Sequence, residues 1–219
     1  MENAYNRLDW NFIKVCLTSF GFASKWIDWI MECISTVSFS VLVNGALDDL
    51  FSPSRGIRQA DPISPYIFII CVEVLARMLQ KECEKPRSPI GIKVSRTHDQ
   101  LPFLTFDDDT LIFVNANLEG VNKIKSILDK YCTISGQKIN YAMSYFQCTR
   151  NIPGSKKCSF KASLGMKEVA TLGLYLGCHL INGRVSKQPF DEILTKTSNL
   201  LSKWKTNSLS QAGRLIHLQ

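Results

Sequence analysis

The sequence predicts an α+β protein in which an antiparallel sheet carries helices packed against it. Three observations lead there. Apolar residues recur at helical spacing in several segments, short β-branched and aromatic runs separate those segments, and no internal repeat of roughly 20–50 residues is visible. At 219 residues and 45% apolar content, the chain is long enough to bury one or two sizeable cores.

Taken in order, residues 9–34 carry Trp10, Ile13, Val15, Leu17 and Phe20, then Trp26, Ile27, Ile30, Met31 and Ile34, with Gly21 between the two sets. That pattern predicts two helices. Ser38–Val43 alternates polar with β-branched and aromatic residues, runs into Asn44-Gly45, and is followed by a short apolar run at Leu50-Phe51. A hairpin is expected there, because Asn-Gly tolerates the positive φ of a tight turn. From Pro62 or Pro65 to Glu84 a long helix is expected, with proline near its first turn and apolar residues on most faces, hence deeply packed. Leu101–Phe106 and Thr110–Val114 read as two strands joined by Asp107-Asp108-Asp109, a hairpin with carboxylates at its tip. Val121–Tyr131 has helical periodicity and stops before Ser135-Gly136. Strands are expected at Ser144–Thr149 and Leu174–Ile181. The tail from Ser186 has apolar positions at Phe190, Ile193, Leu194, Leu200, Leu201 and Trp204, then Leu209, Leu215 and Leu218 after a break near Ser208, so two basic helices are expected.

Composition limits the function classes. No run of about 18 apolar residues is free of charge or proline, and the chain starts polar, so neither a membrane span nor a signal peptide is expected. The eight cysteines form no CxxC pair, and some, such as Cys71 in YIFIICVEVL, sit inside apolar runs. They read as reduced core thiols of an intracellular protein, nuclear or cytoplasmic, and not as bridges or zinc ligands. Charge is unevenly placed: residues 1–150 hold 16 Lys/Arg against 16 Asp/Glu, while residues 151–219 hold 10 against 3, so the entire excess of +7 lies in the last third. Such asymmetry suits contact with a phosphate backbone, with a solvated helix surface as the plain alternative.

Three consecutive carboxylates between apolar strands repel one another unless something positive sits beside them. A hard divalent cation relieves that repulsion, taking one or two carboxylates and completing its shell with water and phosphate oxygens. Two such ions about 3.5–4 Å apart can clamp the attacking and leaving oxygens of an in-line phosphoryl transfer. A solvated acidic turn is the alternative.

The flanking residues are more specific than the triplet. Phe106-x-Asp108-Asp109-Thr110-Leu111-Ile112-Phe113 resembles the F-A-D-D-[ST]-L-I-F motif of non-LTR, LINE-type retrotransposon reverse transcriptases, those of plants in particular. Ser54-Arg55-Gly56-Ile57-Arg58-Gln59-Ala60-Asp61-Pro62-Ile63-Ser64-Pro65 resembles S-R-G-[LIV]-R-Q-G-D-P-L-S-P, and Asn3-Ala4-Tyr5-Asn6-Arg7-Leu8-Asp9-Trp10 resembles K-A-Y-D-R-V-D-W. Ser135-Gly136-Gln137-Lys138-Ile139-Asn140 matches S-G-Q-x-[IV]-N, Leu174-Tyr175-Leu176-Gly177 resembles the Y-L-G turn, and Ser210-Gln211-Ala212-Gly213-Arg214 resembles S-x-A-G-[KR]. The matches run in the family's order over almost the whole chain.

The resemblance implies a reverse-transcriptase palm over residues 1–183 and the N-terminal part of a basic helical thumb over residues 184–219. It implies RNA-directed DNA polymerase chemistry by two-metal nucleotidyl transfer, with Mg²⁺ or Mn²⁺ as cofactor and an RNA template, a DNA primer and dNTPs as partners. Asp108 and Asp109 become the catalytic metal ligands. Tyr5 lies under the incoming sugar, where its ring excludes a 2′-hydroxyl, with Arg58 and Gln59 beside the nucleotide. Tyr175 and Gly177 shape the turn against the primer end, and Lys196, Lys203, Lys205 and Arg214 meet the nucleic-acid backbone.

The sequence also departs from the pattern. The family's first motif opens with an aspartate five residues before its aromatic, and counting back from Tyr5 places it one residue before Met1, with Glu2 as the nearest acid. Asp107 stands where the family has alanine, Ala60 where it has glycine, Met143 where it has lysine, and Asn6 where it has a second acid. If the glycine replaced by Ala60 uses positive φ, the added Cβ costs about 1 kcal/mol or more. The expectation is a truncated polymerase domain with impaired catalysis. The alternative is a non-catalytic nucleic-acid binder relying on the basic C-terminal third.

Overall fold

A computed structural model of the chain describes residues 1–2, 4–95, 99–106, 109–149, 151–176, 178–180 and 188–208. Its contacts fall into two compact units, residues 1–144 with 152–166, and residues 145–151 with 167–219.

In the first unit a short helix, α1 (Ala4–Arg7), leads into α2 (Trp10–Ser19). Asp9 starts α2 because its carboxylate accepts a hydrogen bond from the backbone N–H of Phe12 at 3.0 Å. After the break at Gly21, α3 (Ser24–Ser35) turns Ile27, Ile30 and Ile34 inward at the spacing read from the sequence. Strands β1 (Leu42–Val43) and β2 (Ala46–Leu47) pair antiparallel across Asn44 and Gly45, whose φ values of 52° and 86° are those of a tight primed turn. Helix α4 (Ser64–Cys83) begins with Pro65 in its first turn and buries Ile67, Cys71, Leu75, Leu79 and Cys83, one residue per turn.

Beyond α4, β3 (Ile92–Lys93) pairs with β4 (Gln100–Leu101), and β5 (Phe103–Phe106) pairs with β6 (Asp109–Ile112). Asn117 caps α5 (Leu118–Ser135), its side chain accepting from the Gly120 N–H at 2.7 Å, and Gly136 ends that helix with φ of 73°. The core lies among α2, α3, α4 and α5, where Leu8, Ile13, Leu17, Cys71, Leu79 and Tyr131 are almost wholly excluded from water. Each such Leu or Ile contributes about 1.5–3 kcal/mol. Glu82 pins α4 to α5 by pairing with Lys85 and Lys123 at 2.8 and 3.2 Å. The hydrogen bond from Lys85, with the two nearby ammonium charges, holds its carboxyl below the usual carboxylate range.

In the second unit β7 (Tyr145–Phe146) pairs with a later strand, β8 (Lys167–Glu168); between them in sequence, α6 (Gly154–Leu164) belongs to the first unit. Then β9 (Leu174–Tyr175) and β10 (Cys178–His179) form a hairpin, and α7 (Gln188–Ser208) follows.

The structure departs from the sequence reading in four places. Among the described residues the strands form five two-stranded ladders in place of one antiparallel sheet, because most strands are only two residues long, and β7–β8 runs parallel. Helix α6 was not foreseen: it buries only Phe160 and so lacks the apolar stripe that marks a helix in sequence. Of the two late strands expected, that at Ser144–Thr149 is confined to Tyr145–Phe146, and that at Leu174–Ile181 is divided into the β9–β10 hairpin. Cys16, Cys71 and Cys83 are buried core thiols, but Cys33 and Cys158 are exposed, on helix faces turned away from the core. The hydrogen bond with Cys16 and burial push the Cys71 thiol well above the ordinary range, which leaves it inert. The second basic helix expected beyond Ser208 lies outside the described residues. Among those residues no helix is long and apolar enough to cross a membrane.

Candidate functional site

Two stretches singled out in the sequence converge on a third, residues 2–10. The backbone N–H of Ile57 donates to the Tyr5 carbonyl at 2.8 Å, that of Gly56 to the Leu8 carbonyl at 2.7 Å, and the indole Nε1–H of Trp10 to the Gly56 carbonyl at 2.7 Å. From the other side, the buried Gln137 amide donates to the Ala4 carbonyl at 2.7 Å, the Asp9 N–H donates to the Ser135 carbonyl at 2.9 Å, and the Glu2 N–H donates to the Lys138 carbonyl at 2.8 Å. The Lys138 ammonium also lies 3.7 Å from the Glu2 carboxylate.

Glycine is required at two points of this clasp. A Cβ on Gly56 would sit 2.7 Å from the Asn6 carbonyl oxygen, and one on Gly136 would sit 2.7 Å from that of Arg7. Both obstacles are backbone, and both glycines hold positive φ.

The clasp fixes the loop after Gly56 beside Tyr5, and so brings together Tyr5, Arg58 and Gln59. The Tyr5 ring stacks on Phe68 of α4 with centroids 4.8 Å apart and planes at 13°, which leaves it half-buried at the edge of the core. Arg58 and Gln59 are exposed. Next to Gln59, Ala60 holds φ at 64°, a left-handed conformation that an L-residue with a Cβ adopts only under strain. The glycine expected at this position would carry none.

Asp109 occupies the first position of β6 and pairs with Phe106, so two residues join the strands. Its carboxylate is exposed, and no ammonium or guanidinium lies within 4 Å of it among the described residues. The root of this hairpin, Phe103 and Ile112, packs against the same core as Tyr5. An open carboxylate on a rigid two-strand support, with a second one next to it in sequence, is the hard-oxygen donor set that suits Mg²⁺ or Mn²⁺. Asp108 itself lies outside the described residues, and among those described no cluster of three Asp, Glu, His or Cys is found.

The remaining candidates belong to the second unit or lie outside the described residues. Tyr175 is half-buried in β9, ahead of Leu176, whose φ is 52°. Lys196 is exposed on α7, and Lys203 and Lys205 fall in the same helix. Gly177 and Arg214 lie outside the described residues. The sequence reading missed Trp10, Gly56 and Gln137 as the parts that hold the nucleotide-side candidates together. All three fall inside the quoted motifs, but nothing in a motif shows which of its residues meet across 46 or 133 positions.

Comparison with known proteins follows the motifs. The family model described as reverse transcriptase (RNA-dependent DNA polymerase) matches residues 1–176. An uncharacterized mitochondrial protein of Arabidopsis thaliana is 48% identical over 69 residues, covering 32% of this chain and 56% of that protein. The Pol polyprotein of the type-2 retrotransposable element R2DM of Drosophila melanogaster is 25% identical over 212 residues, covering 91% of this chain and 19% of the polyprotein. An uncharacterized 149 kDa protein of transposon TX1 from Xenopus laevis is 23% identical over 98% of this chain and 16% of its own length. The chain thus spans about half of the first relative and under a fifth of the other two. With the ordered motifs, the clasp that joins them and a family match over residues 1–176, the chain belongs to the reverse transcriptase family and is similar to the Pol proteins of non-LTR retrotransposons.

Proposed function

We propose that this chain is the polymerase region of a LINE-type retroelement, laid out for RNA-directed nucleotidyl transfer but impaired in it. The hydrogen bond from Ile57 to Tyr5 carries the reading, because it ties the loop of Arg58 and Gln59 to the backbone of Tyr5. In this reading residues 1–183 form the palm and residues 184–219 begin the thumb. Tyr5 excludes a 2′-hydroxyl by steric contact, Arg58 meets the triphosphate and Gln59 positions the nucleotide. Tyr175 and Gly177 shape the turn at the primer end. Asp108 and Asp109 would hold Mg²⁺ or Mn²⁺, which supplies neutralisation of the charge on the attacking and leaving oxygens. The other partners are an RNA template, a DNA primer and dNTPs.

What supports impairment is internal to the site. Ala60 strains the loop next to Gln59, and the resemblance implies that Asp107 adds a negative charge near the nucleotide and that Met143 leaves out a cation near the leaving pyrophosphate. Positioning and charge neutralisation supply almost all the catalysis in phosphoryl transfer, so each change weakens the rate directly. Primer extension on an RNA template with dNTPs and either metal tests the proposal. Little or no extension is expected. Robust incorporation that disappears in Asp108→Asn would refute impairment while confirming the polymerase.

A second reading, nucleic-acid binding without catalysis, draws support from Lys196, exposed on α7 in the basic last third. Neutralising Lys196, Lys203, Lys205 and Arg214 should then flatten the salt dependence of RNA affinity. Unchanged dependence removes this reading.

A further inference from the structure

Helix α6 contributes little to the core, since Phe160 is the one residue of its eleven that is buried. It carries charge of one sign. Between Asp129 and Glu168 the sequence has seven Lys or Arg and no acid, and three of the lysines, Lys156, Lys157 and Lys161, lie on α6. Two of these fall in the first turn, where the helix dipole disfavours cations, and Pro153 brings no side-chain cap to offset it. A fourth ammonium is added from α5: Lys125 Nζ donates to the Ser163 carbonyl at 2.8 Å, which fixes it at the C-terminal end of α6. Lys156 and Lys161 are exposed, and neither has a carboxylate within 4 Å among the described residues.

From this we propose that the exposed lysines of α6, together with Lys125, bind the phosphate backbone of a nucleic-acid strand. The proposal rests on the reading that the chain handles nucleic acid, and it adds positions in the first unit to the basic ones already named on α7. Like charges gathered along one short helix repel one another, and a polyanion removes that repulsion while releasing its own counterions. No apolar stripe accompanies the lysines, as insertion into a lipid surface would require.

The test measures binding of the full chain to a labelled single-stranded RNA across a potassium chloride series. Four variants are compared with the unaltered chain: K156Q/K161Q, the charge-retaining K156R/K161R, single K161Q, and the α7 set K196Q/K203Q/K205Q. K156Q/K161Q should reduce the slope of log affinity against log salt by about 1.4, at roughly 0.7 per lost phosphate contact, and weaken low-salt binding by about tenfold. K156R/K161R should keep both, and the α7 set should show a separate, additive loss. Should the double variant misfold, K161Q alone decides, with an expected change of about 0.7. An unaltered slope in the Gln variants overturns the inference and leaves the functional reading standing, whereas no RNA binding by the unaltered chain overturns both. Anionic phosphatidylserine vesicles that compete as well as unlabelled RNA would overturn the choice of partner.

Discussion

Ala60 carries its Cβ into a conformation that suits glycine, with φ of 64°. A left-handed L-residue is strained by about 1–2 kcal/mol, and glycine there gives back about 0.5–1 kcal/mol through its looser unfolded state. Ala60→Gly should therefore stabilise the chain by about 0.5–1 kcal/mol, read as a raised denaturant midpoint at constant slope. Gly56→Ala should do the reverse and more strongly. Its Cβ would meet the Asn6 carbonyl at 2.7 Å and its φ of 88° is forbidding, so a loss of about 2–4 kcal/mol is expected in the same measurement. Gln137 is 4% exposed, and its amide donates to the Ala4 carbonyl. Gln137→Leu removes that hydrogen bond, a loss of about 0.5–1.5 kcal/mol, and hydrogen exchange should quicken first at Gly56 and Ile57, whose amides bond to the same segment.

At the scale of elements, the ion pairs of Glu82 tie the end of α4 to α5. Its carboxyl is held low in the folded state, so the stability it adds is complete above the ordinary carboxylate range and fades as pH falls through the lowered folded value. Glu82→Gln should cost about 0.5 kcal/mol at neutral pH, and the gap to the unaltered chain should close on acidification; a gap constant with pH would remove the ion pairs from the account. Helices α2 to α5 were legible in the sequence because each turns an apolar stripe inward at the helical period, and the β1–β2 turn was legible because Asn44-Gly45 admits few other conformations. Helix α6 was not, since a helix that buries one side chain leaves no period to read. The two-residue strands carry no alternation, so their pairing partners had to come from the fold. For the candidate site, the motifs named Tyr5, Arg58 and Gln59, and the structure bonds the loop that carries Arg58 and Gln59 to the backbone of Tyr5. Ala60 was flagged as a misfit, and the structure supplies the positive φ that makes it one. The braces on these residues join positions 46 and 133 apart, a separation that local patterns do not encode.

At the scale of the molecule, the β1–β2 hairpin and its flanks gather several exposed apolar side chains among the described residues. Leu42, Leu47 and Leu50 are 66%, 75% and 75% exposed, with Val41, Val43 and Phe51 about half so. Surface of this kind on a short, open ladder invites self-association. Leu42 faces Leu47 across the ladder, so the pair Leu42→Lys with Leu47→Glu replaces an apolar contact by an opposite-charge one and should keep the hairpin. Light scattering is expected to show association beginning at a higher protein concentration, with the thermal midpoint little changed. The clasp has a different consequence, in time. A chain is made from its N-terminus at about 5–20 residues per second, so residues 4–10 wait roughly 7–27 seconds after their own synthesis before Gln137 exists to hold them. Until then Tyr5 and the loop behind it have only half their fastenings, so this segment of the first unit sets well after it is made.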